Sequence, residues 1–217
     1  MIALDNRLKT AAEFCREGKI AADIGCDHAQ LACYLAQNKS RFVIASDVRD
    51  GPLEAARRTV AEQSVSNVKV VKSDGLKEIE FADDVIICGM GGELIAGIIS
   101  GCRFLNSGTR FILQPMTKPD FLRKWLYSEG FEIIEERAAF DAGKCYSIMY
   151  VGYTGERRTV DELFALTGKM TDRAYLQRVA EKLLKNAAEI EKSDRFRDRA
   201  AVLREMADMI LKKEETQ

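Results

Sequence analysis

The sequence predicts an α/β fold: an open, mainly parallel sheet flanked by helices, closed by an antiparallel hairpin and followed by a helical appendage. Three observations predict it. Short apolar runs alternate with segments whose apolar residues recur at helical spacing, the pattern of buried strands joined by crossover helices. The runs end on aspartate or glycine: Asp23 and Gly25, then Asp47, then Asp74 and Gly75, then Gly89 to Gly92. Beyond Gly155 strand-like runs stop, and long stretches without proline take over.

The first crossover sets the frame. Ile20, Ala21, Ala22 and Ile24 read as a buried strand, and Gly25 permits a tight turn and close approach of backbone to a ligand. Asp27 and His28 then fall at the start of the first crossover helix, which runs to about Asn38. This is half of a Rossmann-like unit, with one of the expected glycines. A pyrophosphate needs glycines and free amides, whereas Asp27 brings a carboxylate. The expected ligand is therefore free of phosphate and cationic. S-adenosylmethionine meets both conditions, since its sulfonium and ammonium are positive and its ribose offers hydroxyls to a carboxylate. The plainer alternative is a strand-to-helix turn capped by Asp27.

A leading helix is expected over Leu4 to Glu17, stopped by Gly18. A second strand, Phe42 to Ser46, ends at Asp47, where a Rossmann-like site holds the ribose hydroxyls. Pro52 suits a first helical turn. The third strand, Val68 to Lys72, leads to Asp74 and Gly75, whose carboxylate and amide suit the adenine of the cofactor; a bare turn is the alternative. The fourth, Val85 to Cys88, runs into Gly89-Met90-Gly91-Gly92 before a helix over Glu93 to Ile99. The fifth, Phe111 to Leu113, precedes Gln114-Pro115-Met116, and Pro119 opens a helix that Gly130 stops. Phe131 to Phe140 and Cys145 to Tyr153, joined by a short glycine-containing link, read as a hairpin. Alternating units ending in an antiparallel hairpin are the class I methyltransferase arrangement. The expected division is a cofactor-binding domain over 1–155 and a helical, coiled-coil-like domain over 156–217, its two long helices meeting near Ser193 and Asp194.

The 217 residues suit one α/β domain with an appendage. No run is long enough to span a bilayer and Met1 to Thr10 lacks a signal-peptide core, so a cytoplasmic protein is expected. Six scattered cysteines without a C-x-x-C pair read as reduced core residues and support neither a disulfide framework nor a metal site. A net charge of -1 excludes a globally basic nucleic-acid binder but leaves room for a basic face.

Asp23-Ile-Gly-Cys-Asp-His-Ala-Gln-Leu31, Ser46-Asp-Val-Arg-Asp-Gly-Pro-Leu53, Ile87-Cys-Gly-Met-Gly-Gly92 and Leu113-Gln-Pro-Met116 together resemble the bacterial tRNA (adenine-22, N1)-methyltransferase family, TrmK. The resemblance runs through the first domain in order and extends to the helical tail. Leu4, Arg7 and Leu8 match the family's opening motif, and Met116 stands where many members have asparagine. The resemblance implies transfer of a methyl group from S-adenosylmethionine to adenine N1 in tRNA. It implies catalytic roles for Asp27, His28, Gln114 and Pro115, and cofactor contacts from Asp23, Gly25, Asp27, Asp47, Asp74, Gly75, Gly89, Met90 and Gly91. Gly92, Met116, Lys118, Arg157 and Arg158 are the implied substrate contacts. Further cations that would meet tRNA on this reading are Arg123, Lys124, Arg173, Arg178, Lys182, Lys185, Arg195, Arg197 and Arg199; the interleaved acids make a solvated helical face the usual explanation, and the assignment to RNA rests mainly on the resemblance. A monomer is expected.

The residues are consistent with ring-nitrogen chemistry. Methylation of an exocyclic amine commonly uses an Asn/Asp-Pro-Pro-aromatic loop after the fourth strand, and none is present. Pyrimidine carbon-5 methylation needs a nucleophilic cysteine, typically in Pro-Cys, and no proline here precedes cysteine. Adenine N1 has an in-plane lone pair and needs positioning more than a base. His28, the only histidine, is equally readable as a residue satisfied at a helix start. A non-catalytic RNA-binding or assembly module, and a methyltransferase for a small molecule, are the alternative functions.

Overall fold

The computed structural model describes residues 2–192 and 197–215. The expected junction at Ser193 and Asp194, and Arg195, lie outside the described residues. In chain order the elements are α1 (Asn6–Phe14), β1 (Ile20–Ile24), α2 (Gln30–Asn38), β2 (Phe42–Asp47), α3 (Asp50–Glu62), β3 (Val68–Lys72), β4 (Asp84–Gly91) and α4 (Gly92–Ser100). They continue as β5 (Arg110–Thr117), α5 (Pro119–Ser128), β6 (Phe131–Asp141), β7 (Lys144–Tyr153), α6 (Glu162–Thr167), α7 (Arg173–Ile190) and α8 (Arg197–Glu215).

The seven strands form one sheet in the order β3-β2-β1-β4-β5-β7-β6. β1 to β5 are mutually parallel where they pair, and β7 runs antiparallel to both β5 and β6. The order reverses between β1 and β4, the switch point at which open α/β sheets bind ligands. Alternation along the central strands sorts the core into two layers. Val85, Ile87, Phe111 and Leu113 face α4 and α5, while Ile86 and Ile112 face α1, α2 and α3. Each of these side chains is fully buried, worth about 1.5–3 kcal/mol apiece in transfer from water.

Several boundaries differ from expectation: β5 extends over Arg110–Thr117, past the expected Leu113, and two others differ for local reasons. α1 starts at Asn6 because the Asp5 carboxylate accepts from the Leu8 amide at 2.7 Å and caps it, and it ends at Phe14, before Gly18. The run Gly89 to Gly91 is not a free loop: β4 continues through it, with register shifts on either side of Met90 against β5, and α4 starts at Gly92.

The short helix α6, not foreseen in the sequence, packs on α5 through Phe164 against Tyr127, with ring centroids 5.2 Å apart. α7 and α8 share an apolar seam of Leu176, Ala180, Leu183, Ala207 and Ile210. A buried charge cluster ties this tail to the sheet. Arg123, expected at the surface, is fully buried and pairs with the equally buried Glu136 at 2.5 Å. It also donates to the carbonyls of Ala165 and Leu166, at 2.7 and 2.9 Å, and to the Tyr175 hydroxyl at 3.1 Å. Glu136 accepts in addition from the Ser147 hydroxyl and from the Lys169 amide.

Candidate functional site

The parallel strands bring their ends to one edge in register: Ile24 lies beside Ser46 and Ile87, and Asp47 beside Lys72. After β1 the chain bends toward β2, and the amides of Gly25 and Cys26 both donate to the Ser46 carbonyl at 2.8 Å. Gly25 has φ +73°, and a Cβ there would come within 2.3 Å of the Met90 side chain, so no other residue fits without displacing Met90. The strain continues past it, with Asp27 at φ 48° and Ala29 at φ 54°, left-handed conformations that cost a non-glycine residue about 1–3 kcal/mol.

That bend overturns one expectation. α2 starts at Gln30 behind Ala29, which provides no side-chain cap, so Asp27 and His28 belong to the strained turn and Asp27 does not cap the helix. Both side chains are more than half exposed, with the Asp27 Oδ2 and His28 Nε2 3.7 Å apart. They stand at the rim of a cavity of about 300 Å³ whose wall also includes Arg7, Asp23, Gly25 and Gly89.

Asp23 is the buried member, 4% exposed. Burial, and then the charge of Asp47, push its carboxyl up to about 7, opposed only by the Ala32 amide. Asp47, also buried at the end of β2, accepts from the Arg49 amide at 3.0 Å. The Ser73 amide donates to the Asp47 carbonyl at 3.0 Å and draws the end of β3 alongside. Asp74 there is exposed and held by Lys77 at 2.5 Å. Asp47, Asp74 and Gly75 thus border the same edge without lining the cavity. Two thiols in the cavity wall, Cys26 and Cys88, are raised by burial and then by Asp23, well away from thiolate formation.

Gln114 and Pro115 are buried near the end of β5, and Pro115 also lines a groove beside it. The Gln114 carbonyl oxygen accepts from Arg7 Nη1 at 2.7 Å and from the Gly89 amide at 3.0 Å, so this side chain braces the cavity wall. Arg7 is visible in the sequence only as part of a motif; its partner lies more than a hundred residues away, and nothing local to it announces the contact.

Gly92 is buried as well. A Cβ on it would come within 2.4 Å of the Lys118 carbonyl, so glycine here allows close backbone approach between the start of α4 and the β5–α5 turn. Met90 covers Gly25, and Gly91 abuts the Thr117 side chain. Met116 and Lys118 are exposed at the end of β5, with Lys118 paired to Glu93 at 2.7 Å.

Arg157 and Arg158 lie at the wrong edge. Because β7 is antiparallel to β5, with Gly152 opposite Arg110, the chain leaving β7 emerges at the start of β5, away from the cavity. There Arg157 pairs with Glu129 and Arg158 with Glu132, each at 3.2 Å. Among the described residues no group of three or more histidine, cysteine, aspartate or glutamate side chains is arranged to hold a metal, and no helix is long and apolar enough to cross a membrane.

Strand order, strained glycine turn and acid-lined switch-point cavity define a class I methyltransferase, and residues 4–149 match the family model described as a methyltransferase domain. The chain is 38% identical over 174 residues, 78% of this chain and 73% of that protein, to the tRNA (adenine(22)-N(1))-methyltransferase of Bacillus subtilis. The crystal structure of the B. subtilis M1A22 tRNA methyltransferase TrmK superposes with a TM-score of 0.81 at 29% identity, over 97% of this chain and 100% of that one. The Streptococcus pneumoniae protein Sp1610, in complex with S-adenosyl-L-methionine, superposes with a TM-score of 0.80 at 28% identity, over 97% of this chain and 100% of that one. The chain belongs to the tRNA (adenine(22)-N(1))-methyltransferase family.

Proposed function

We propose that this chain transfers a methyl group from S-adenosylmethionine to N1 of an adenine in tRNA, at the position 22 named for its B. subtilis relative. The observation that carries the reading is Asp23. It is a buried acid in a cavity wall that forms no ion pair among the described residues, its carboxyl raised by burial and by Asp47. Such a site suits a ligand that brings its own positive charge, and the ammonium and sulfonium of S-adenosylmethionine do so. When bound, that cofactor supplies an electrophilic methyl group.

The chain's own residues divide the work. Asp23 and Asp27 offer negative charge to the cationic end of the cofactor, and Asp47 accepts from the ribose hydroxyls. Asp74, once released from Lys77, accepts from the cofactor's adenine amino group beside the Gly75 amide. The backbone of Gly89, Met90 and Gly91 forms the close wall. Asp27 and His28, exposed at the rim, orient the target adenine through its amino group and ring edge. N1 carries no proton to remove, so orientation supplies most of the rate, and the positive charge of the sulfonium ends on the methylated adenine ring without any proton having to move. Gln114 is a positioning residue acting through Arg7 and Gly89. The protonated Cys26 and Cys88 give no nucleophile for a covalent route.

The test is incubation with methyl-labelled cofactor and bulk tRNA, followed by digestion to nucleosides. Label in 1-methyladenosine is expected. Label in N6-methyladenosine, or none in tRNA, would overturn the reading.

A further inference from the structure

A groove of about 830 Å³ runs between the β5–α5 turn, the β6–β7 hairpin and α7. It adjoins the cavity: Arg7, in the cavity wall, stands 6.0 Å over the ring of Tyr146, in the groove wall. Met116, also in the groove, receives a hydrogen bond at Sδ from the same Gln114 that holds Arg7.

The charged side chains lining this groove are all cations: Lys118, Lys144, Arg178 and Lys182. In a chain with 33 basic and 34 acidic residues, that is local segregation of charge. Elsewhere on the surface the pattern is neutralisation, with Lys124 paired to Glu162, Arg137 to Glu13 and Glu135, and Arg204 to Glu191. Among the described residues, Lys118 is the one groove cation that meets a carboxylate. Arg178 donates to a neutral acceptor, the Gly143 carbonyl, at 2.8 Å, and lies 5.8 Å from the Phe140 ring. Lys144 and Lys182 are exposed and form no ion pair among the described residues. Asp172, at the start of α7, is taken up by the Tyr175 amide.

We propose that this groove is the track of the substrate RNA strand. Its phosphates run past Lys144, Arg178 and Lys182, and its target nucleotide passes Met116 and Tyr146 into the cavity. The proposal rests on the RNA reading above. Cations free of carboxylates are the ones whose contact with phosphate releases counterions without first breaking an ion pair. N1 lies on the Watson–Crick edge, so the adenine must leave its pair and its stack before it can react. An aromatic ring and a thioether at the junction of groove and cavity provide a surface for a base in transit.

The experiment is binding of bulk tRNA to the full chain, measured by fluorescence anisotropy across a potassium chloride series. Lys144→Ala, Arg178→Ala and Lys182→Ala are compared singly and combined, with Arg157→Ala/Arg158→Ala as control. The triple variant is expected to bind more weakly at every salt concentration, with a slope of log K against log [salt] shallower by about 2 to 3, since each lost phosphate contact removes about 0.7–0.9. Cofactor binding and the control are expected to match wild type. A triple variant with wild-type affinity and slope overturns the proposal. So does a variant that loses self-association in sedimentation while keeping its tRNA affinity, because a second copy would then be the occupant. Wild-type protein that binds tRNA without making 1-methyladenosine refutes the proposed function, while the slope comparison still decides the groove. Wild-type protein that binds no tRNA overturns both.

Discussion

Asp23→Asn separates what the buried carboxylate costs the fold from what it gives the cofactor. Asparagine keeps the shape and an oxygen able to accept from the Ala32 amide, and removes the charge. The carboxyl titrates near 3.8 when unfolded and at about 7 when folded. The folded protein therefore holds the proton longer, and the contribution of Asp23 to stability falls as pH rises from about 4 to about 7. A rise of roughly three pH units, at about 1.36 kcal/mol each, sets the cost at about 4 kcal/mol once the group is ionised. The Asp23→Asn variant should be more stable than wild type at pH 7.5 by up to that amount, about 8–16 °C in Tm, and by less than half of it at about pH 5. Cofactor affinity should move the other way. In wild type it should rise between about pH 5.5 and 7.5, below the titration of the ligand's own ammonium, as Asp23 becomes available in its charged form. In the variant it should be weak and flat. Urea denaturation at pH 5 and pH 7.5, with calorimetric titration of S-adenosylmethionine, measures both. A variant no more stable than wild type at pH 7.5 would refute the burial cost, and one whose affinity keeps the wild-type pH profile would refute the assignment of the charge to cofactor binding.

Asp47→Ala should lose about 1.5–3 kcal/mol of cofactor affinity, the worth of charge-assisted hydrogen bonds, with the fold intact; normal binding in calorimetry would make Asp47 a turn residue only. In single-turnover methylation across pH, His28→Asn should retain far more activity than His28→Ala, and Asp27→Ala should be more damaging than either. Equal and complete loss in both His28 variants, with a wild-type rate titrating near a histidine pKa, would instead show proton transfer. Deleting residues 159–217 strips Arg123 of the Ala165, Leu166 and Tyr175 partners and uncovers Tyr127, on which Phe164 packs, so the truncated protein should melt below wild type. A soluble truncated protein with a wild-type melting temperature would contradict this.

The strand ends were legible because buried parallel strands read as continuous apolar runs, and Asp23, Asp47, Asp74 and the glycines stand at or next to their ends, along the edge that carries the switch-point cavity. The turn after Gly25 was legible as a turn but not in its length. Left-handed Asp27 and Ala29 delay α2, because the bend toward Ser46 outweighs local helix signals. Charge was the least legible property. Arg157 and Arg158 look free in the sequence, and only the antiparallel return of β7 shows that they emerge at the far edge beside Glu129 and Glu132. Arg123 reads as surface helix, yet its carboxylate comes from a strand and its carbonyls from α6. Lys144 escapes notice in the sequence because a hairpin residue announces a turn and not the wall it completes.

The buried cluster around Arg123 also acts as a ruler. It joins α5, which follows directly from the end of β5, to β6, β7, α6 and the first turn of α7. The cations of α7 are thereby held at a fixed offset from Asp27 and Gly89. An RNA strand gripped at one place would present one nucleotide, and not its neighbour, at the other. Accuracy of position along the RNA would then depend on a pair of charges that the RNA never touches. Loosening that pair should show first as methyl groups on the wrong residue, before any loss of total methylation.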